Sequence, residues 1–300
     1  MKVLIAGGTG FLGKYLINSL TADSHQVWAL SRKPNKAVEG VQVVSWDGKT
    51  TEGWGHLVEE MDAVVNLSGL SLHSWPWTKR KKQRFNDSRV DPGLALASAI
   101  KNTSRRPGVF LQISGINHYG LRGEMIADES TPPGDDYLAQ LTVAWEDATK
   151  SVEEFGVRHI VCRTAVVLAD DAILLELMAL PVRLFIGGPL GSGAQALPWI
   201  HIGDQIGAIR FLLENPEAHG PYNLIAPQPT SNAEFMRALA KELQRPYWFP
   251  VPAFLMHLAL GEMSLLVTEG RFAQPKRLLE QGYTFRFPKL ESTLKDIFKR

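Results

Sequence analysis

A doubly wound, parallel α/β sheet with a smaller, mostly helical C-terminal lobe is predicted by three features of the chain. Short apolar runs alternate with longer amphipathic ones through the first half, the pattern of successive βαβ units. A glycine-rich turn follows the first of those runs directly. Beyond about residue 168 the alternation loosens, and segments with helical spacing take over.

The predicted strands are Lys2–Ala6, Gln26–Leu30, Val41–Ser45, Ala63–Leu67, Val109–Ile113 and His159–Val167. They read as unbroken apolar runs because helices are expected to cover both faces of a parallel sheet. Phe11 to about Leu20 forms the first helix. The clearest helical pattern is Leu138, Leu141, Trp145, Ala148, Val152 and Phe155, with Asp135 and Asp136 ahead of it as N-cap candidates. Further on, Ile186 to Gly193 is rich in glycine and reads as a functional loop. Helices are expected at Asp204–Glu214, Asn232–Gln244, Pro252–Leu260 and Ser292–Lys299, and Tyr222–Ile225 as a strand returning to the sheet.

Composition excludes several classes. Of 300 residues, 45% are hydrophobic and 21% charged, which suits a folded globular chain and not a disordered one. Lys plus Arg (32) against Asp plus Glu (31) leaves a net charge of +1, too little excess for non-specific nucleic-acid binding. The single cysteine, Cys162, excludes an intramolecular disulfide and a multi-cysteine metal site, and reads as a small buried hydrophobe. Val3–Ala6 is too short for a secretory core, and Phe254–Val267 carries His257 and Glu262 and falls short of a membrane span. A cytoplasmic protein is expected, as a monomer or homodimer, with no metal site.

Gly7-Gly8-Thr9-Gly10-Phe11-Leu12-Gly13 satisfies both Gly-x-Gly-x-x-Gly and Gly-x-x-Gly-x-x-Gly between a strand and a helix. The first glycines allow a tight turn, Gly10 lets a pyrophosphate approach the backbone, and Gly13 allows close helix–strand packing. At the end of the second strand, where an NAD-preferring site places an acid on the ribose, the chain reads Ser31-Arg32-Lys33. A guanidinium there suits a 2′-phosphate, so the expected cofactor is NADP(H). Residues 1–168 are thus read as an NADP-binding Rossmann-type domain, with about 199–226 returning to it, and 169–300 as a substrate lobe.

These motifs, together with Val64-Val65-Asn66-Leu67-Ser68-Gly69, Ile113-Ser114-Gly115, His118-Tyr119-Gly120 and Trp199-Ile200-His201-Ile202-Gly203-Asp204, resemble the extended short-chain dehydrogenase/reductases of the epimerase/dehydratase branch. More narrowly the chain is similar to the divergent YfcH-type epimerase family, through Gly187-Gly188-Pro189-Leu190-Gly191-Ser192-Gly193, Leu260-Gly261-Glu262-Met263-Ser264 and Pro275-Lys276-Arg277-Leu278-Leu279. The resemblance implies a cofactor cleft lined by Gly7, Thr9, Gly10, Phe11, Leu12 and Gly13, with Arg32 at the adenosine phosphate. It also implies Leu67, Ser68 and Gly69 under the pyrophosphate and ribose, and Trp46 or Asp47 near adenine.

That superfamily uses a tyrosine as acid/base, a lysine four residues later that lowers its pKa, and a serine that orients the substrate oxygen. Tyr137 stands in the tyrosine place, but the lysine position is Leu141; Gln140 could bond a ribose hydroxyl. A cation about 6 Å from a phenolate, at an effective dielectric of about 20, contributes ~3 kcal/mol, or about two pKa units. The serine position falls on Gly115, with Ser114 one residue earlier. Tyr137 and Ser114 are the catalytic candidates, Tyr119 an alternative acid, and His118 and His201 read as structural histidines. The basic run Lys79, Arg80, Lys81, Lys82 and Arg84 reads as a solvated helix start capped by Thr78, or as an anion contact; Arg89 could point a guanidinium inward.

Two functions follow. One is an NADP(H)-dependent oxidoreductase or epimerase acting on a small polar molecule. The other is an NADP(H)-binding regulatory protein with little catalysis, which the resemblance to plastid relatives links to cell or organelle division.

Overall fold

The computed structural model describes residues 1–33, 40–123 and 125–299. Seven parallel strands form one sheet: β1 (Lys2–Ala6), β2 (Gln26–Ser31), β3 (Val41–Ser45), β4 (Ala63–Asn66), β5 (Val109–Gly115), β6 (Arg158–Thr164) and, late in the chain, Gly220–Leu224. In spatial order they run β3-β2-β1-β4-β5-β6 and then Gly220–Leu224. The order reverses beside β1, and Ala6 stands level with Leu30 on one side and Asn66 on the other. Ligands of open α/β sheets bind outside the carboxyl ends of the strands at such a reversal.

Alternation along β1 feeds two apolar layers. Val3 and Ile5 join Leu16, Ile17 and Leu20 of α1 (Phe11–Ala22) and Ile206 and Ile209 of the helix Ile202–Glu214. Leu4 and Ala6 join Leu96 and Ile100 of α2 (Lys79–Lys101). The 23-residue α2 accommodates Pro92 and packs along α3 (Tyr137–Lys150). Its start is capped by Thr78, whose hydroxyl accepts the Lys81 amide, and α3 by Asp136, whose carboxylate accepts Leu138 and Ala139.

The run expected as one strand over His159–Val167 divides. β6 stays in the main sheet, and Val166–Leu168 (β7) leaves it to pair in parallel with Trp199–His201 (β8). Both pieces are apolar in sequence, so hydrophobic periodicity carries no mark of the break. Gly220–Leu224, now β9, returns as the seventh strand. A helix not predicted from sequence, α4 (Ile173–Arg183), begins at Ala172 without a side-chain cap, contains Pro181, and exposes Ile173, Leu177 and Leu180. It therefore offers neither a start signal nor a single apolar stripe.

The helices that complete the chain are α5 (Ile202–Glu214), α6 (Asn232–Glu242), α7 (Ala253–Leu260), α8 (Leu265–Thr268), α9 (Lys276–Glu280) and α10 (Leu290–Ile297). Among the described residues no helix is long and apolar enough to cross a membrane. The 187–193 loop is tied down: Gly187 accepts the Trp248 amide, and Gly191 and Val251 donate to Val251 and Pro189. A Cβ at Gly188 would meet the Phe249 carbonyl oxygen at 2.0 Å, so this glycine serves close backbone packing. The segment expected as a functional loop is a packed one.

The decisive contact lies at the start of α1. A Cβ on Gly13 would come within 2.3 Å of the Gly8 carbonyl oxygen and 2.6 Å of that of Gly7. Gly13→Ala should therefore push the helix off the loop and lower stability by about 1–3 kcal/mol, read as a lower urea midpoint. An unchanged midpoint would contradict this packing.

Candidate active site

At the carboxyl ends of β1, β2 and β4 lies a cleft of about 420 Å³, lined among others by Gly7, Thr9, Gly10, Ser31, Arg32, Trp46, Leu67, Ser68 and Gly69. Gly7 adopts φ +76°, and its carbonyl accepts the Gly10 amide at 2.9 Å, closing the turn. Gly10 has no side chain to cap α1, so the first-turn amides at Phe11, Leu12 and Gly13 are left for an anion, at the positive end of the helix dipole. The glycines divide the work. Gly7 and Gly10 line the cleft, whereas a Cβ on Gly8 would strike Ala29 Cβ at 2.8 Å, so Gly8, like Gly13, serves packing. The side chains of Phe11 and Leu12 pack against the core.

At the β2 end the Ser31 hydroxyl lies 3.2 Å from that of Thr9 and accepts the Lys33 amide. Arg32 is exposed, with its stem beside Gly48. Lys33 is exposed too, and does not line the cleft. Trp46 is buried against Trp54, ring centroids 5.6 Å apart. Asp47 turns its carboxylate onto its own loop, accepting the amides of Lys49 (2.7 Å) and Thr50 (2.8 Å), and these bonds hold it below the usual carboxylate range.

The loop after β4 is pinned from below. The Leu67 amide donates to Ala6, the Ser68 amide to the side chain of Asn66, and the Asn66 amide group to Gln112 at 2.9 Å. The Ser68 hydroxyl is buried without a protein partner at the cleft wall. A buried, unpaired hydroxyl is costly unless a ligand satisfies it, so this wall fits the phosphate–ribose portion of a dinucleotide.

The catalytic candidates fall into two groups. Tyr137 opens α3 half-buried; its phenol donates to the Lys82 carbonyl at 3.3 Å, and Trp77 packs edge-on at 6.1 Å. The Lys82 ammonium stands 4.6 Å above the ring and pairs with Glu262. Burial raises the Tyr137 phenol above its ordinary value. Leu141, in the lysine position, is buried.

Ser114 and Tyr119 belong to a buried network and not to the cleft lining. Ser114 donates to Glu146 at 2.7 Å, Arg163 donates twice to Glu146 at 2.9 Å, and Arg163 also donates to the Tyr119 oxygen at 3.0 Å. The Tyr119 hydroxyl in turn donates to Asn223 at 2.8 Å. Burial pushes this phenol up to about 12. With its hydroxyl held on both sides and its ring 1% exposed, Tyr119 is poorly placed as an acid. Gln140 is exposed, and its side-chain amide donates back to the Asp135 carbonyl ahead of α3.

His118 and His201 are both depressed by burial, and His201 accepts the Gly203 amide as the cap of α5. Glu146, Arg163 and Asn223 were missed by sequence reasoning. Arg163 carried a signal, since a charge inside an otherwise apolar strand demands a buried partner. A wider groove of about 580 Å³ lies between α1 and α5, but it contains none of the glycine loop, and its Arg210 pairs with Glu214.

A parallel sheet that reverses order beside β1, a glycine turn opening α1 and a tyrosine at the head of α3 together define a dinucleotide-binding protein of the short-chain dehydrogenase type. Residues 3–225 match the NAD dependent epimerase/dehydratase family, and 251–297 match a domain of unknown function, DUF1731. The chain belongs to that epimerase/dehydratase family. The epimerase family protein YfhF of Bacillus subtilis is 33% identical over 99% of this chain and 98% of its own length. The crystal structure of human epimerase family protein SDR39U1 with NADPH superposes with a TM-score of 0.89 at 34% identity, covering 99% of both chains. UDP-glucose 4-epimerase of Thermotoga maritima, at 15% identity and a TM-score of 0.78, shares the fold, with 98% of each chain covered.

The buried Glu146–Arg163 pair, with side chains 13% and 7% exposed, yields a stability prediction. Glu146→Gln leaves Arg163 charged and half-satisfied, and should cost about 3 kcal/mol. Urea unfolding measures this; a loss well under 1 kcal/mol would show that the pair is not needed.

Proposed function

We propose that the protein is an NADP(H)-dependent oxidoreductase or epimerase of the extended short-chain dehydrogenase type, acting on a small polar substrate. The observation that carries the cofactor choice is Arg32 at the end of β2, facing the cleft where an NAD site would carry an acid. The NADPH in the human relative supports it. Amides of the α1 start would hold the pyrophosphate, Arg32 the 2′-phosphate, and Ser68 a ribose or phosphate oxygen. Trp46 forms the buried wall on the adenine side.

When bound, the nicotinamide supplies a site that gives or takes a hydride. Tyr137 holds the proton exchanged with the substrate oxygen. Ser114 and Tyr119 act from behind, in the network that fixes the floor of the site through Glu146 and Arg163. The C-terminal helices, through Glu262 on Lys82, close the side of the site around Tyr137.

The substitution of Leu141 for the expected lysine, and a Tyr137 raised by burial, favour one second reading: a cofactor-responsive binding protein with little turnover. A screen of carbonyl and hydroxyl compounds separates the two. NADPH oxidation that falls at least tenfold in Tyr137→Phe supports the enzyme, whereas saturable NADPH binding without any turnover supports the regulator. For the cofactor itself, Arg32→Asp should weaken NADPH binding by about 10–100-fold, the worth of a lost charged hydrogen bond. NADH affinity should change by under about threefold in the same titration. Equal losses for both would remove Arg32 from 2′-phosphate recognition.

A further inference from the structure

Arg89 lies in the middle of α2 and is 6% exposed. Its guanidinium has one protein acceptor, the Phe85 carbonyl at 3.1 Å, and no carboxylate pairs with it among the described residues. Cζ sits 4.7 Å from the centre of the Trp145 ring. A Cβ placed on Gly69 would lie 3.6 Å from that same Cζ and 3.5 Å from Trp145 Cζ2. The buried cation is thus held between the loop that walls the cleft and the surface of α3.

The face of α3 it meets is informative. Tyr137, Leu141 and Trp145 follow one another at four-residue spacing and share a side of the helix. The superfamily pattern puts a lysine on that side at the middle position, where this chain has a buried leucine. A cation reaches the same face from the neighbouring helix, stacked on the residue one turn further along. Around it two more donors are buried without partners, Ser68 Oγ and Trp145 Nε1.

We infer that Arg89 replaces the missing lysine as the positioning charge for Tyr137, stabilising the phenolate formed when the tyrosine gives up its proton. An unpaired buried guanidinium is costly in a resting protein, and a negative charge that appears during turnover supplies its counter-ion. Burial lowers the Arg89 value to about 10, which still leaves the side chain cationic at neutral pH. Its charge acts on the Tyr137 phenol downward, against burial and Glu262, which both raise it. The other groups facing the ring are Lys82, 4.6 Å above it, and the neutral Trp77. Lys82 is matched by Glu262, so among the described residues Arg89 is the cation left to set the phenol.

The inference rests on the reading of Tyr137 as the proton-transfer group, so its test must not depend on turnover. A fluorinated tyrosine incorporated at position 137 brings the phenol into the neutral range, where fluorine NMR follows its titration in the intact chain. Arg89→Met keeps the packing on Trp145, and Arg89→Gln keeps a donor for the Phe85 carbonyl; both delete the charge. Each should make the phenol about tenfold less acidic, while Arg89→Lys holds it within about twofold. Adding Leu141→Lys to either neutral variant should restore the acidity. An unchanged phenol in either neutral variant, with circular dichroism showing it folded, overturns the inference. A Tyr137→Phe enzyme with full activity would instead overturn the role of Tyr137 and leave the Arg89 coupling standing.

Discussion

The approach of α1 to the loop that precedes it is the constraint on which the rest of the structure depends. The helix can present its first amides to an anion only if its start lies within contact of the Gly7–Gly8 backbone, and any Cβ at Gly13 would forbid that. Gly7, at φ +76°, turns the chain directly after β1, so the amides emerge at the carboxyl end of the sheet. The reversal of strand order places β2 on one side of this point and β4 on the other. Arg32 and Ser68 are thereby brought to the two flanks of one cleft, although they lie far apart in sequence.

Much of this was legible before the structure because its causes are local. Glycines with a required conformation, a cap such as Asp136 or Thr78, and strands apolar on both faces leave marks at short range. The break between β6 and β7 left none, since the apolar run continues through it and only the partner strand changes. Helix α4 escaped for the opposite reason, being apolar on exposed faces as well as buried ones. Asp204 shows a third kind of silence. Its buried carboxylate accepts the amides of Arg286 and Phe287 at 2.8 Å, a contact between segments that sequence patterns do not link.

Of the residues singled out in the sequence, Gly7, Thr9 and Gly10 of the glycine turn, Arg32, Trp46 and Ser68 line one cleft, whereas Ser114 and Tyr119 lie in a buried network. Ser114 and Tyr119 are catalytic candidates by residue type, which a buried network needs as much as a catalytic one does. Glu146 and Arg163 absorb both hydroxyls, and no spacing rule relates α3, β5, β6 and β9. The lysine position looked like a simple loss. In three dimensions a cation reaches the same helix face from α2, so a residue missing from a motif does not show that its charge is missing from the site.

The proposed function depends on the glycine turn and Arg32 together forming a site for a phosphorylated dinucleotide. Calorimetric titration of the native protein with NADPH and with NADH tests this most directly. Saturable binding of NADPH, at least about tenfold tighter than that of NADH, is the predicted result. Absence of binding by either nucleotide to the folded chain would contradict such a site, and a preference for NADH would remove Arg32 from 2′-phosphate recognition.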